Sequence, residues 1–274
     1  MKIGVDFGGT NTRVGLVDNG NIVKLISEPT LSDKSEMEIL NHLIDVIRRV
    51  KVPRVTGIGI GVPSVVHVEE GIVYNVANIP SWKEVHLKKI LQDEFQIPVA
   101  VNNDCNCFAL GEHAFGEANG YKDAVCMTLG TGVGAGLIIN NKLYGGSNTG
   151  AGEIGSFPYL QHDFEYYCSS HFFIKEHNIT GKEVYTRAEK GDAAALELMN
   201  EFGFHLGNLI NAVLFAYDPQ VIVIGGSIAL SYRFFSTAMH QRLATFPYPE
   251  TVKRLKIHLS KKENIGLLGA STLV

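Results

Sequence analysis

The residues of this chain whose types and spacing could do chemistry are three glycine-rich turns and a few acids beside them. The turns are Asp6-Phe7-Gly8-Gly9-Thr10-Asn11-Thr12, Leu129-Gly130-Thr131-Gly132-Val133-Gly134 and Ile224-Gly225-Gly226-Ser227. Each follows a short apolar run that reads as a buried strand. Glycine has no Cβ, so the backbone can come close to a phosphate there. Successive N–H groups in such a turn form a concavity for an anion. Thr10, Thr12 and Thr131 can add hydroxyl donors. One such turn is usually a tight hairpin. Three of them at strand ends suit a nucleotide, whose several phosphates and nucleoside need more than one turn. The sequence has no G-x-x-x-x-G-K-[ST] and therefore no P-loop. The turn at 130–134 runs into a strand and opens no helix, which fits a Rossmann site poorly.

Asp6 ends the first apolar run. A carboxylate beside a phosphate turn handles a cation, usually Mg²⁺ through water; otherwise Asp6 is a turn or cap residue. Asp104 follows the strand at 99–102 and opens a helix. It reads either as an N-cap or as a general base presented at a strand end, with Asn103 beside it to bind a polar substrate group. Glu153 follows the polar, glycine-rich stretch 145–152, a loop of the kind that faces a substrate. Glu165 opens an apparent helix, where a first-turn acid also suits the helix dipole. His162, His171 and His177 have no zinc-site spacing with the cysteines. The thiols of Cys105 and Cys107 stand two apart on a helix and face different ways. No zinc site is expected.

The elements that must position these residues follow from periodicity. Residues 3–7, 13–17 and 22–26 read as strands, the last two joined by Asp18-Asn19-Gly20, a strong hairpin signal. Residues 35–50 place Met37, Leu40, Leu43, Ile44 and Ile47 at helical spacing. Strands are expected at 55–62 and 99–102, with a helix at 84–95. The pattern then recurs, with strands at 124–129 and 136–139, a helix at 193–216, a strand at 221–224, a helix at 231–243 and a strand at 255–259. Gly15-Leu16-Val17-Asp18-Asn19-Gly20 is echoed by Gly136-Leu137-Ile138-Ile139-Asn140-Asn141. Two similar halves suggest a duplicated α/β fold with a cleft between domains. The expected domains are a small N-terminal one, 1–102 plus about 264–274, and a larger C-terminal one, 103–263. The tail is expected to fold back on the first.

Composition narrows the function classes. The chain has 274 residues, 45% hydrophobic and 19% charged, which is globular rather than disordered. At roughly 150 residues per domain this length holds one or two domains. With 24 Lys and Arg against 28 Asp and Glu, the net charge is −4 and no stretch is strongly basic. Nucleic acid is not an expected partner. Four cysteines are too few for a disulfide framework, so a reduced, cytoplasmic setting is expected. Met1-Lys2-Ile3-Gly4 leads straight to Asp6 without the apolar core of a signal peptide. The uncharged run 124–139 is shorter than the ~20 residues a bilayer needs and is broken by glycines, so no membrane association is expected.

Taken in order, these residues resemble the ROK family of sugar kinases, in the actin-like (ribonuclease H-like) superfamily, along essentially the whole chain. Asp6-x-Gly8-Gly9-Thr10-x-x-Arg13 resembles the first phosphate motif, and Gly61-Val62-Pro63 with Asn78-x-x-x-Trp82 the sugar-facing stretch. Asn102-Asn103-Asp104 with Gly111-Glu112 resembles the catalytic segment. The turn at 129–134 is similar to the second phosphate motif, Gly152-Glu153-Ile154-Gly155 to the substrate-glutamate motif, and Asp218-Pro219 through Gly225-Gly226 to the adenosine motif. The resemblance implies a two-domain fold of duplicated βββαβαβα units and an ATP-dependent kinase acting on a hexose, most plausibly at O6. N-acetylmannosamine or N-acetylglucosamine is the alternative acceptor, and a non-catalytic sugar-binding regulator a further one. It implies Asp104 as the base, with Gly61, Asn78, Asn103, Glu153, Ser156 and Glu165 facing the sugar. Mg-ATP would lie on Asp6, Gly8, Gly9, Thr10, Asn11, Thr12, Gly130, Thr131, Gly132, Gly225 and Gly226. It also implies a homodimer. Ser156 stands where most members have histidine, and Ser64 where a glycine is usual. Residues 157–164 replace the cysteine-rich loop that binds structural zinc in most members. The family's repressors add an N-terminal DNA-binding module, and the first strand here starts at residue 2, so a regulator is not the expected form.

Overall fold

A computed structural model describes residues 1–147 and 150–274; Asn148 and Thr149, in the loop expected to face a substrate, lie outside the described residues. The chain forms two compact units. Unit 1 comprises 1–120, 136–151 and 261–274, and unit 2 comprises 121–135 and 152–260. The join read from the sequence near 103 falls at the start of a helix that packs within unit 1.

The element order repeats. The first run is β1 (Lys2–Phe7), β2 (Asn11–Asp18), β3 (Asn21–Pro29), α1 (Glu36–Val50) and β4 (Ile58–Val62). A small sheet follows, β5 (Val65–His67), β6 (Ile72–Tyr74) and β7 (Glu84–Val85), then α2 (Leu87–Phe95), β8 (Val99–Asn103) and α3 (Asp104–Phe115). The second run is β9 (Ala124–Leu129), β10 (Val133–Ile139) and β11 (Lys142–Leu143), then an insertion with β12 (Pro158–Tyr159), β13 (His162–Asp163), α4 (Phe164–Cys168) and α5 (Gly181–Glu189). It ends with α6 (Ala193–Tyr217), β14 (Val221–Gly225), α7 (Tyr232–Leu243), α8 (Pro249–Arg254), β15 (Lys256–Leu259) and α9 (Ile265–Ser271). Without β5–β7, the insertion and the short α8, each run reads βββαβαβα.

Register repeats too. In unit 1, β4 lies parallel between β1 and β8, and the β2–β3 ladder is antiparallel. In unit 2, β14 lies parallel between β9 and β15. The central strands are buried on both faces, which is why they read as unbroken apolar runs. The Asn19-Gly20 turn has positive φ at both residues, 47° and 75°, as a tight hairpin requires. Helix α1 begins at a capping box in which Ser35 and Glu38 satisfy each other's backbone. It ends at Val50, two residues short of the extended conformation that Pro53 demands of Val52.

Several boundaries differ from those read in the sequence, among them β10, which starts at Val133 and not at 136. Strand β4 starts at 58, after a turn that includes Pro53. Residues 84–85 pair with β6 and do not begin a helix. Strand β2 starts at Asn11, which makes the first glycine turn tighter.

The C-terminal helix α9 rests on a row of glycines. Gly15, Gly4 and Gly59 stand opposite one another on three adjacent strands. A Cβ on Gly4 would lie 2.2 Å from the Leu267 carbonyl oxygen, and one on Gly59 1.8 Å from that of Ala270. The same helix presses on α3, where a Cβ on Gly269 would lie 1.8 Å from the Cys107 oxygen and one on Gly111 2.1 Å from the Ile265 oxygen. Gly59→Ala is therefore expected to cost about 1–3 kcal/mol or more through forced overpacking. Gly266→Ala, in the same helix but facing open space, is expected to be neutral or slightly stabilising. Thermal midpoints of the two variants check this contrast.

Candidate active site

In unit 1 the parallel ladder sets the site. Asp6 stands opposite Gly61, and Gly61 opposite Asn102, so the carboxyl ends of β1, β4 and β8 align at one edge. That edge is where open α/β sheets place ligands. Asn103 opposes Val62, and α3 starts immediately after it.

The N-cap of α3 is Asn103, not Asp104. Its Oδ1 accepts from the N–H of Cys105 at 2.8 Å and of Asn106 at 3.2 Å, while its Nδ2 donates to the Ser64 carbonyl at 3.3 Å. The buried Asn102 accepts from the N–H of Asn103 at 2.8 Å and from Asn106 Nδ2 at 2.9 Å. Asn103 thus leaves Asp104 without the capping role that the sequence allowed it, as the first residue of the helix. Beneath it, a Cβ on Gly61 would lie 3.4 Å from the Asp104 Cα and 3.1 Å from Cys107 Sγ. Gly61 is the floor on which the acid sits.

Burial, followed by the like charge of Asp6, pushes the Asp104 carboxyl up to about 6. Burial also raises Asp6, against the pull of Arg13, which stands opposite it across β1–β2 with its guanidinium 3.1 Å from the Asp6 carboxylate. Burial, then the charges of Asp104 and Asp6, raises the Cys107 thiol well above its usual range and keeps it inert. Two acids pushed towards their neutral forms, one of them by the charge of the other and only Asp6 paired with a guanidinium, make a donor set that a divalent cation would relieve. Asp6 and its neighbourhood fit Mg²⁺ on that ground.

The first glycine turn is held from below. Thr30 donates to the Gly8 carbonyl at 2.6 Å, and Thr12 donates to Thr30 at 2.9 Å. Thr12 is buried and shapes the turn, while Thr10 and Asn11 are exposed. Asn78 covers Gly9, where a Cβ would lie 2.9 Å from the asparagine's own. The loop that carries Asn78 is anchored by Trp82, whose fully buried ring stacks on Phe7 at 4.6 Å. A cavity of about 600 Å³ in unit 1 is bordered by Asn102, Tyr74, His67 and Ser147.

In unit 2 the second and third turns abut. A Cβ on Gly226, whose φ is +86°, would lie 2.3 Å from the Leu129 oxygen, and one on Gly130 3.8 Å from Ser227 Oγ. Gly225 closes the β14–β9 register opposite Thr128. Thr131 is exposed at the turn's tip. The Glu165 carboxylate accepts the Val133 N–H at 3.0 Å, and Gly132 has no Cβ because that oxygen would lie 2.5 Å away. Glu153 and Ser156 are exposed on a short helical turn. Packing raises the Glu153 pKa, and the like charge of Glu165 adds to the rise. Residues 157–164 form the hairpin β12–β13. Among the described residues no group of three or more His, Cys, Asp or Glu could hold a metal ion. Nor is any helix among them long and apolar enough to cross a membrane.

The structure therefore gathers Asp6, Gly8, Gly9, Thr10, Asn11, Thr12, Gly61, Asn78, Asn103 and Asp104 in unit 1. It gathers Gly130, Thr131, Gly132, Glu153, Ser156, Glu165, Gly225 and Gly226 in unit 2. Sequence reasoning did not find the Ser64–Asn103 link, nor the role of Tyr159 in the hairpin. Both are long-range contacts with no local signal.

Comparison with known proteins gives the following. The ROK family matches residues 2–274. A glucokinase of Halalkalibacterium halodurans is 28% identical over 311 residues, 99% of this chain and 94% of its own length. A xylose repressor of Bacillus spizizenii is 27% identical over 298 residues, 100% of this chain and 76% of its own length. A ROK family glucokinase from Streptomyces griseus, crystallised with glucose and AMPPNP, superposes with a TM-score of 0.84 at 25% identity, covering 100% of this chain and 98% of that one. These likenesses show the two-domain actin-like α/β fold.

The raised Asp104 pKa has a consequence for stability. Its folded value, about 6, exceeds the ordinary 3.8. The folded state therefore holds a proton that the unfolded state gives up, and stability falls as pH rises from about 4 to about 6. The deficit persists at higher pH. Asp104→Asn is expected to melt above the wild type at pH 8, with the gap closing towards pH 4. Melting curves of both proteins at pH 4, 6 and 8 check it.

Proposed function

The chain belongs to the ROK family over residues 2–274, and on that premise we propose that it is an ATP-dependent sugar kinase. Its acceptor in this reading is a hexose, most plausibly at O6, with N-acetylmannosamine or N-acetylglucosamine as the alternative. The observation that carries the reading is Asp104: an acid at the first position of α3, relieved of capping by Asn103, with a carboxyl pushed up to about 6. A general base works best near the ambient pH, and this value suits one.

Phosphoryl transfer asks a protein for positioning and charge neutralisation more than for covalent chemistry. Bound Mg-ATP supplies the phosphoryl group and the metal charge. The residues of this chain do the rest. Asp104 takes the proton of the acceptor hydroxyl. By the family resemblance, the residues that would orient the sugar are Asn78, Asn103, the backbone at Gly61, Glu153, Ser156 and Glu165. The glycine turns at 8–12, 130–132 and 225–226 would hold phosphates through their N–H groups, and Asp6 would hold Mg²⁺. None of the four cysteines is in a disulfide, which suits a cytoplasmic setting; a homodimer is the assembly this reading assigns by resemblance.

A second reading, a sugar-binding regulator, is favoured by the likeness to the xylose repressor. The two differ in catalysis. ADP release from Mg-ATP is measured with a panel of hexoses and N-acetylhexosamines. Sugar-dependent release supports the kinase and names its acceptor, and silence across the panel, with sugar still bound, supports the regulator. Asp104→Asn is expected to lower turnover by about 10²–10⁴-fold, the usual range for a lost general base, with sugar binding retained. Unchanged turnover removes Asp104 from the mechanism.

A further inference from the structure

Glu165 follows a hairpin too small to stand alone. Strands β12 and β13 have two residues each, and Leu160 at the tip is left-handed, with φ of +51°. An isolated two-stranded hairpin is marginal in water, so its position comes from what it touches. Tyr159 makes those contacts. Its ring stacks on Phe164 at 4.2 Å and 11° and meets Tyr167 edge-on at 5.4 Å. Its hydroxyl reaches two residues of α6: it accepts from Asn208 Nδ2 at 2.9 Å and bonds to His205 Nδ1 at 3.0 Å. Burial lowers the His205 pKa and favours the neutral ring, so Nδ1 can accept the hydrogen bond of the Tyr159 hydroxyl. Asn208 Oδ1 in turn accepts from Arg242 Nε of α7 at 2.7 Å. The phenol, pushed up to about 12 mainly by burial, keeps its proton.

The hairpin leads directly into α4. Asp163, its last residue, caps that helix by accepting the Tyr166 N–H at 2.8 Å. Glu165 is two residues further on, and its carboxylate accepts the Val133 N–H, where β10 leaves the second glycine turn. Gly132 makes room for it. The chain Arg242–Asn208–Tyr159 therefore anchors the hairpin six residues before Glu165, which holds the turn.

We propose that Tyr159 is a positioning residue: through Asn208 and Arg242 it pins the hairpin to α6 and α7 and so keeps the Glu165 carboxylate on the Val133 N–H, fixing the glycine turn at 130–132. The consequence for nucleotide binding rests on the kinase reading; the contact itself does not.

Amide exchange of Val133, followed by NMR in the full-length protein, reads the contact directly. Tyr159→Phe keeps the ring stack and removes the hydroxyl. It is expected to speed Val133 exchange by about tenfold, as loss of one link in a hydrogen-bonded network would. The β14 amides should not change. Asn208→Ala, which breaks the next link, is expected to do the same. Glu165→Ala removes the acceptor, and adding Tyr159→Phe to it should then speed exchange no further, because both act on one contact. Unchanged Val133 exchange in Tyr159→Phe, or full additivity with Glu165→Ala, overturns the proposal. In steady-state kinetics the same variant is expected to raise the KM for Mg-ATP about fivefold with kcat within about twofold, a split that general loss of folded protein does not produce; an unmoved KM also overturns it. If exchange responds as expected while the wild type phosphorylates no sugar, the clamp stands and the kinase reading fails. If sugar is phosphorylated while exchange in the variant matches the wild type, the kinase reading stands and the clamp fails.

Discussion

The absence of three side chains governs unit 1. Gly4, Gly15 and Gly59 leave a bare strip across β1, β2 and β4, and α9 lies on it, its backbone against Gly4 and Gly59 and the Leu267 side chain against Gly15, at distances no Cβ allows. Helix α9 in turn seats α3 through Gly269 and Gly111. The position of α3 fixes where its first residue, Asp104, meets the edge of the sheet. A contact between the last residues of the chain and its first strand therefore sets the height of the acid most suited to chemistry. Interiors are close-packed, so such a seat transmits displacement and does not absorb it.

The electrostatics of that edge run against stability. Asp104 and Asp6 are half-buried, and each is pushed towards its neutral form. A chain selected only for folding would have no use for the pair. Arg13 offsets part of the cost for Asp6 from across the strand pair. Strain of this kind is what a site for a cation and a proton transfer requires, and perturbed acids gather at such sites.

Unit 2 solves a different problem. Its second and third glycine turns touch, and the carboxylate of Glu165 braces the second. The brace sits at the end of a two-residue-per-strand hairpin that is held by ring stacking and one half-buried hydroxyl. Where most of the family is expected to tie this segment with a metal, Tyr159 ties it here with hydrogen bonds to α6.

Much of this was legible in the sequence. The repeated βββαβαβα order, the three turns after buried strands, the hairpin at Asn19-Gly20 and the helix opening at Asp104 all follow from local periodicity and turn chemistry, which neighbouring residues encode by themselves. Three things came only from the tertiary structure. The strand register puts Asp6, Gly61 and Asn102 in one row, although they are separated by tens of residues. The cap of α3 fell to Asn103, because Ser64 and Asn102 hold the asparagine in place, while the Asp104 carboxylate accepts the N–H of the next residue, Cys105. The bond of Tyr159 to Asn208, and that of Glu165 to the Val133 N–H, join segments with no shared pattern. Local sequence specifies which backbone shapes are cheap. Which distant groups meet is decided when the whole chain packs, since only then are their partners, their burial and their charges defined.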